Sequence, residues 1–383
     1  MLPRQPAVVA KLRGAIGDMT ALVTEHRASF DRERNIPRAV FEAMADAGLF
    51  RLWLPKAYGG FELSPVDFMA VVEAASALDG TIGWLVGNGG GIARCAGYLP
   101  EAAARDVFSD RRGFLVSSTG SVGVAVPARG GYRIAGRWPF GSGIHHATQL
   151  AVLCAPKDEP TQQMLCYAPE SKARVIDTWH VSGLRGTGSC DFALEDVFVP
   201  ATHTHAFVEQ PNTQPALLYR LPNISAYTWT VATVPLGIAE GAIAFFVSAA
   251  TSKTRGGNPA PLAQKELVQD LLGRVEAERR SARAFLVEAM DDVLSALVQA
   301  DTAALLTARA IYRTATAHAA ETAVSIVDRL HAAFGAMSIH EHCPLERAHR
   351  DVHAAVKHIA MSTGSYALAG RVRLGLDPGT LRF

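Results

Sequence analysis

Gly136-Arg137-Trp138-Pro139-Phe140-Gly141-Ser142-Gly143 interrupts a chain that otherwise reads largely as helix. Two large aromatics beside a proline and three glycines have the composition of a strand that ends in a turn. The same texture extends to both sides, from about Gly113 to Pro200. Val116, Val122, Val124, Tyr132, Ile134, Leu150–Leu153, Met164–Tyr167, Val175 and Phe192–Val199 fall in short runs separated by Gly, Pro and Asp. This predicts a compact antiparallel β domain over residues 113–205. Upstream, Val8, Val9, Leu12, Ile16, Met19, Leu22 and Val23 recur at three- and four-residue spacings, as do Val40, Phe41, Met44 and Leu49. That periodicity predicts an N-terminal helical domain over 1–112, with Pro37 placed to start a helix and Gly48 to end one. Downstream, helical patterns cover 228–252, 262–298, 300–332 and roughly 345–372. Alanine is abundant there and proline is absent from the interiors of the last three, which predicts a C-terminal four-helix bundle over 206–383. The fold class is therefore α+β, ordered as helices, sheet, helices.

Composition removes several classes of partner. Of 383 residues 49% are hydrophobic, and 37 Lys+Arg against 36 Asp+Glu leave a net charge of +1. With no basic stripe or acidic tail, nucleic acid and membrane surfaces are not expected partners. Five scattered cysteines without a CxxC pair read as reduced thiols, and no signal-like segment or long uncharged apolar run stands out, so a cytoplasmic protein is expected. His145 and His146 are adjacent, so their side chains diverge. No carboxylate at ligand spacing accompanies them, and no metal is expected. Gly87-Asn88-Gly89-Gly90-Gly91 lacks the Lys-Ser/Thr ending of a phosphate loop.

Five strings in order carry a family resemblance. They are Arg34 with Ile36-Pro37 and Ala47-Gly48-Leu49-Phe50; Pro55-Lys56-Ala57-Tyr58-Gly59-Gly60; Gly183-Leu184-Arg185-Gly186-Thr187-Gly188-Ser189; Asp196-Val197-Phe198-Val199-Pro200; and Glu346-Arg347 before Arg350-Asp351. Over nearly its whole length the chain resembles the acyl-CoA dehydrogenase superfamily. The resemblance implies a central antiparallel β-barrel, a flavin held between it and the C-terminal bundle, and a homotetramer. Asp79-Gly80-Thr81-Ile82-Gly83-Trp84, the Gly136–Gly143 string and the Arg350-Asp351-x-His353-Ala354-x-x-x-His358 string look more like the two-component flavin-dependent monooxygenase branch. In that branch a separate reductase supplies reduced FAD or FMN by diffusion. With O₂ the oxygenase forms a C4a-(hydro)peroxyflavin that hydroxylates an aromatic or heteroaromatic small molecule.

The alternative, dehydrogenation of an acyl-CoA, needs a carboxylate base in a water-poor pocket. The two family positions for that base fall on Ile359 and Tyr227, and neither is acidic. A displaced base, or a catalytically silent flavin-fold protein, stands as the rival reading. For the oxygenase, the resemblance points to Ser142 as a hydroxyl near flavin N5 and to His358 as the catalytic imidazole, with His353 left structural. Cofactor contacts are expected from Ser118, Trp138, Ser142, Thr187 and Ser189, and from Arg255 at a flavin phosphate. Ser117, Tyr227 and Ile92 are expected at the substrate. Ile92 stands where the branch's phenol hydroxylases carry a histidine, which favours an indole, another fused aromatic or an amine over a simple phenol.

Overall fold

The periodic apolar residues of the first hundred positions become the inner faces of helices α1 (Pro6–Asp18), α2 (Thr20–Glu33) and α3 (Arg38–Asp46), where Leu12, Ile16, Val23, Phe30, Val40 and Met44 are buried. This computed structural model describes residues 3–208, 210–255 and 258–380, with the side chains of 254–260 outside that description. Helix α4 (Pro65–Leu78) starts on Ser64, whose hydroxyl accepts the Asp67 N–H, with proline in its first turn. Helix α5 (Gly80–Ile92) starts on the Asp79 carboxylate, which accepts the Thr81 N–H. It is buried along almost its whole length because glycine lets neighbours approach its backbone. A Cβ on Gly87 would lie 2.2 Å from the carbonyl oxygen of Thr230. Helix α6 (Glu101–Val107) closes the N-terminal helical region.

Seven strands follow: β1 (Leu115–Ala128), β2 (Gly131–Gly141), β3 (Gln149–Pro156), β4 (Met164–Pro169), β5 (Arg174–Ile176), β6 (Cys190–Pro200) and β7 (Thr204–Ala206). They form one sheet in the order β5-β6-β2-β1-β3-β4-β7. The expected antiparallel barrel is corrected on two counts. The sheet is open, with β5 and β7 at its edges, and it is mixed, because β1 and β3 pair in parallel from Leu115↔Gln149. The chain leaves β2 through a 3-10 turn at Ile144–His146 and passes to the far side of β1, so β3 must run in the direction of β1. Strand periodicity cannot reveal this, since it fixes which face a residue occupies and not which neighbour its strand meets.

The C-terminal region comprises α7 (Asn223–Ala232), α8 (Val234–Ala250), the short strands β8 (Thr254–Arg255) and β9 (Asn258–Pro261), α9 (Glu266–Gln299), α10 (Thr302–Phe334), α11 (Pro344–Ala355) and α12 (Gly364–Arg373). Helix α10 packs on α8, α9, α11 and α12, while α8 also rests on α4 of the N-terminal region. The single helix expected over 345–372 is two. Helix α11 ends at Ala355, and His358 and Ser362 adopt extended backbone around a 3-10 turn at Ile359–Met361. The segment Asn223–Ala250 is long and apolar enough to cross a membrane by composition. Its most apolar window is 67% buried within the protein, as befits a core helix pair.

Candidate active site

Three segments meet at Ser142: the start of α5, the turn after β2, and the glycine-rich turn before β6. Trp84 Nε1 donates to Ser142 Oγ at 3.1 Å. Ser142 Oγ lies 2.8 Å from Ser189 Oγ, which lies 2.6 Å from Thr187 Oγ1. Thr187 Oγ1 in turn donates to the Leu184 carbonyl at 2.8 Å. The direction of this chain follows from counting hydrogens. Thr187 spends its hydrogen on the carbonyl, so it accepts from Ser189. Ser189 therefore accepts from Ser142, and Ser142 accepts from Trp84. One lone pair of Ser142 remains, and it can serve only as an acceptor.

Backbone geometry fixes these hydroxyls. Gly143 N–H donates to the Thr187 carbonyl at 2.7 Å and ties the two turns together. Phe140 and Leu184 hold left-handed backbone at φ 60° and 52°, a strained choice for residues with a Cβ, and such strain gathers at binding sites. The second turn is seated on α11: Asp351 Oδ1 accepts the Leu184 N–H at 2.7 Å. A Cβ on Gly183 would lie 2.0 Å from the Arg350 carbonyl oxygen, so only glycine allows that approach. Burial, then the neighbouring Asp79 charge, raises the Asp351 carboxyl to about 7, against the opposing pull of Arg347 and the Leu184 N–H.

His358 follows α11 at the floor of a cleft. The residue as a whole is exposed, yet protein surrounds the ring closely enough that desolvation, followed by the Arg313 charge, lowers it to about 4. Its Nδ1 accepts the Ala360 N–H at 3.2 Å, so the proton of the neutral ring sits on Nε2 as a free donor. The ring centroid lies 5.8 Å from that of Trp84, edge to face. Phe140 and Ile359, beside Ser142 and His358 in the chain, are 66% and 67% exposed. An acceptor, a neutral donor and uncovered apolar surface suit a planar, partly polar ring system such as an isoalloxazine.

A second group lies between β1 and α7. Ser117 Oγ and the Tyr227 hydroxyl are 3.1 Å apart, and the wholly buried Arg94 sits 4.3 Å from the Tyr227 ring centroid and bonds Asn223. Ile92 is buried at the last turn of α5.

The structure thus joins Ser142, Thr187 and Ser189, sets His358 across Trp84 from them, and pairs Ser117 with Tyr227. One expected cofactor contact is corrected. The Trp138 side chain is fully enclosed in the sheet, donates to the Leu153 carbonyl at 2.9 Å and stacks on Phe192, so no face is open to a ligand. Ser118 is buried, as Thr187 and Ser189 are, and its hydroxyl donates to the Pro139 carbonyl at 2.6 Å. The Arg255 side chain lies outside the described residues. His146 donates to the Ile36 carbonyl, while His145 faces Cys190, so the two rings diverge. Sequence reasoning missed Trp84, Arg94 and Asp351 as site residues. Trp84 left a signal, because a tryptophan in an otherwise apolar helix still needs a partner for its N–H.

Comparison with known proteins gives the same location in protein space. The model of the acyl-CoA dehydrogenase N-terminal domain matches residues 14–98, and that of the acyl-CoA dehydrogenase C-terminal domain matches 229–363. An indole-3-acetate monooxygenase of Pseudomonas putida is 30% identical over 91% of this chain and 90% of its own. The oxygenase subunit HsaA of a flavin-dependent monooxygenase from Rhodococcus jostii is 30% identical over 90% of this chain and 93% of its own. The structure of XiaF from a Streptomyces species, in complex with FADH2 and glycerol, is similar with a TM-score of 0.88 at 27% identity over 98% of each chain. The chain belongs to the acyl-CoA dehydrogenase superfamily, in its flavin-dependent monooxygenase branch. It is a flavin-dependent oxidoreductase.

Proposed function

We propose that this chain is the oxygenase component of a two-component system, hydroxylating an aromatic or heteroaromatic small molecule with reduced FAD or FMN and O₂. The observation that carries the reading is the hydroxyl chain Trp84–Ser142–Ser189–Thr187, whose polarity leaves Ser142 only an acceptor. The N5–H of a reduced flavin is the donor that such an acceptor would hold. Reduced flavin, when bound, supplies the electrons by which one atom of O₂ enters the substrate and the other leaves as water. The protein's part is to fix protons and exclude water. Ser142 holds a donor proton in place, the neutral His358 offers its Nε2–H to developing negative charge on oxygen, and the Ser117–Tyr227 pair orients a polar atom of the substrate.

Dehydrogenation of a thioester finds no support in the geometry, because its two base positions are an exposed Ile359 and a Tyr227 bonded to Ser117. The acidic Asp351 nearby is committed to the Leu184 backbone. Relatives named for indole-3-acetate and an apolar Ile92 support a fused heteroaromatic substrate. Five buried free thiols support a reducing, cytoplasmic setting, and the uncovered apolar residues near the C-terminus support a homotetramer.

The test binds reduced FAD or FMN without oxygen, then mixes in O₂ with indole-3-acetate or simple phenols. Oxygenated product from one of these, and no turnover with NAD(P)H and oxidised flavin until a reductase is added, is the expected result. Bleaching of oxidised flavin by an acyl-CoA, without oxygenated product, would assign the chain to dehydrogenation instead.

A further inference from the structure

Helices α10 and α11 carry a cluster that the flavin chemistry does not use. Asp328 and His331 are three residues apart on α10, and His349 and His353 four apart on α11, so each pair shares one face of its helix. The two helices pack together and bring the faces into register. His353 Nε2 lies 2.8 Å from Asp328 Oδ1, and His349 Nε2 lies 3.3 Å from the same oxygen. One ligand atom from each of the three falls within 4.8 Å of the others, the one such grouping of metal-ligand types among the described residues. The rings of His349 and His353 are 4.6 Å apart by centroid, and His331 adds a third imidazole 4.7 Å from His349.

We propose that Asp328, His349 and His353 form a divalent metal site suited to zinc, with the fourth position open beside His331. Ligands on a tetrahedral zinc, each about 2.0–2.1 Å from the ion, lie roughly 3.3 Å from one another, close to the two spacings from Asp328. Imidazole nitrogen with a single carboxylate suits zinc better than calcium or magnesium, which take oxygen. The three side chains are partly exposed, at 43%, 39% and 39%, so an ion can reach them without opening the fold. Asp328 and His353 line, with Arg329 and Lys357, one end of the open cleft of about 720 Å³ that His358 also lines. Arg329 is paired with Glu278, which leaves the Asp328 charge available. Glu346, on the same helix as His349, is paired with Arg350 through both carboxylate oxygens, so Asp328 is the carboxylate left to the site.

The measurement uses the full-length, untagged, flavin-loaded protein, stripped with EDTA and titrated with ZnCl₂ by calorimetry. One equivalent per chain is expected, with binding weakened at least ~10-fold in each of His349→Gln, His353→Gln and Asp328→Asn, while His340→Gln binds as wild type. Flavin affinity and the far-ultraviolet circular dichroism of each variant report its fold. Should a variant not fold, Co²⁺ binding to the unmodified protein decides: intense tetrahedral visible bands are expected. Absence of zinc binding, binding unchanged by the three substitutions, or only the weak bands of six-coordinate Co²⁺ would overturn the site. Because the readout is metal binding and not turnover, failure here leaves the oxygenase reading intact, and failure of that reading leaves the metal site intact.

Discussion

A serine hydroxyl has one hydrogen to give, and at Ser142 the surrounding groups decide where it goes. Removing the acceptor while keeping the fold is the direct test. Ser142→Ala should bind flavin nearly as wild type and divert reducing equivalents to hydrogen peroxide. Loss of one such bond is worth about 3 kcal/mol, or roughly 100-fold in the ratio of product to peroxide. Thr187→Val is the subtler variant. It removes the group that accepts from Ser189, so Ser189 can turn its hydrogen back on Ser142 and compete for the lone pair. Peroxide release should rise to an intermediate level with KM for substrate unchanged, as peroxide assays and steady-state kinetics would record. At His358 a titration near neutrality is not expected. With the ring lowered to about 4, its limb in the rate profile should fall near that pH, and His358→Ala should slow oxygenation without moving any limb between pH 6 and 8. Thr187 and Ser189 drew notice in the sequence because small residues between glycines allow close backbone approach, and Ser142 entered through the family resemblance; the structure brings the three hydroxyls together. Trp138 was misread for the same reason in reverse. It shares the string with Ser142, but strand alternation turns its side chain into the sheet, where Gly123 and Gly136 make room for the indole.

Elements matter here through the seams between them. The turn that carries Thr187 and Ser189 belongs to the sheet by sequence and to α11 by contact, through the Leu184–Asp351 bond and the close approach of Gly183 to Arg350. Gly183→Ala should therefore cost about 2 kcal/mol of stability, measured by urea unfolding, and also raise peroxide release, because the turn cannot move without taking Ser189 with it. A local strand effect would change the first quantity alone. Strand β7 makes a separate seam with β4. Buried His205 donates from Nδ1 to the Ala206 carbonyl at 2.8 Å and accepts from the Tyr167 hydroxyl at 2.9 Å on Nε2. Burial holds it at about 4. Above its unfolded value near 6.5 both states are neutral and its contribution is complete. As pH falls toward 4 the unfolded chain takes the proton first, so stability is lost across that window, by about 3 kcal/mol. Asp351, raised to about 7, works in the opposite sense across nearly the same window, so the comparison of wild type with His205→Gln isolates the histidine. The variant's unfolding free energy should fall less between pH 6.5 and 4.5. Helix and strand content were readable along the chain because periodicity is local. The parallel β1–β3 pair and the break after Ala355 were not, since both depend on partners distant in sequence.

At the scale of the molecule, the apolar residues that the fold leaves uncovered call for an explanation. Leu374 is 77% exposed, Ile339 68%, Leu376 50% and Met337 47%. They lie at the ends of α10 and α12, which pack against each other. Single exposed leucines are ordinary, but large apolar side chains left uncovered beyond two helix termini are surface that a partner can bury. A second copy of the chain would cover it, and closed symmetry repeats the contact until none is left. Light scattering at micromolar concentration should give about 160 kDa against 40.8 kDa for one chain. Replacing Leu374 and Leu376 together by glutamate adds two charges to that surface and removes nothing from the core, so each chain should keep its helical signal while the assembly dissociates. If neighbouring subunits complete the cofactor cleft, flavin affinity must fall in step with the mass. A variant that dissociates to monomers yet binds flavin as wild type would show that one chain suffices to build the site.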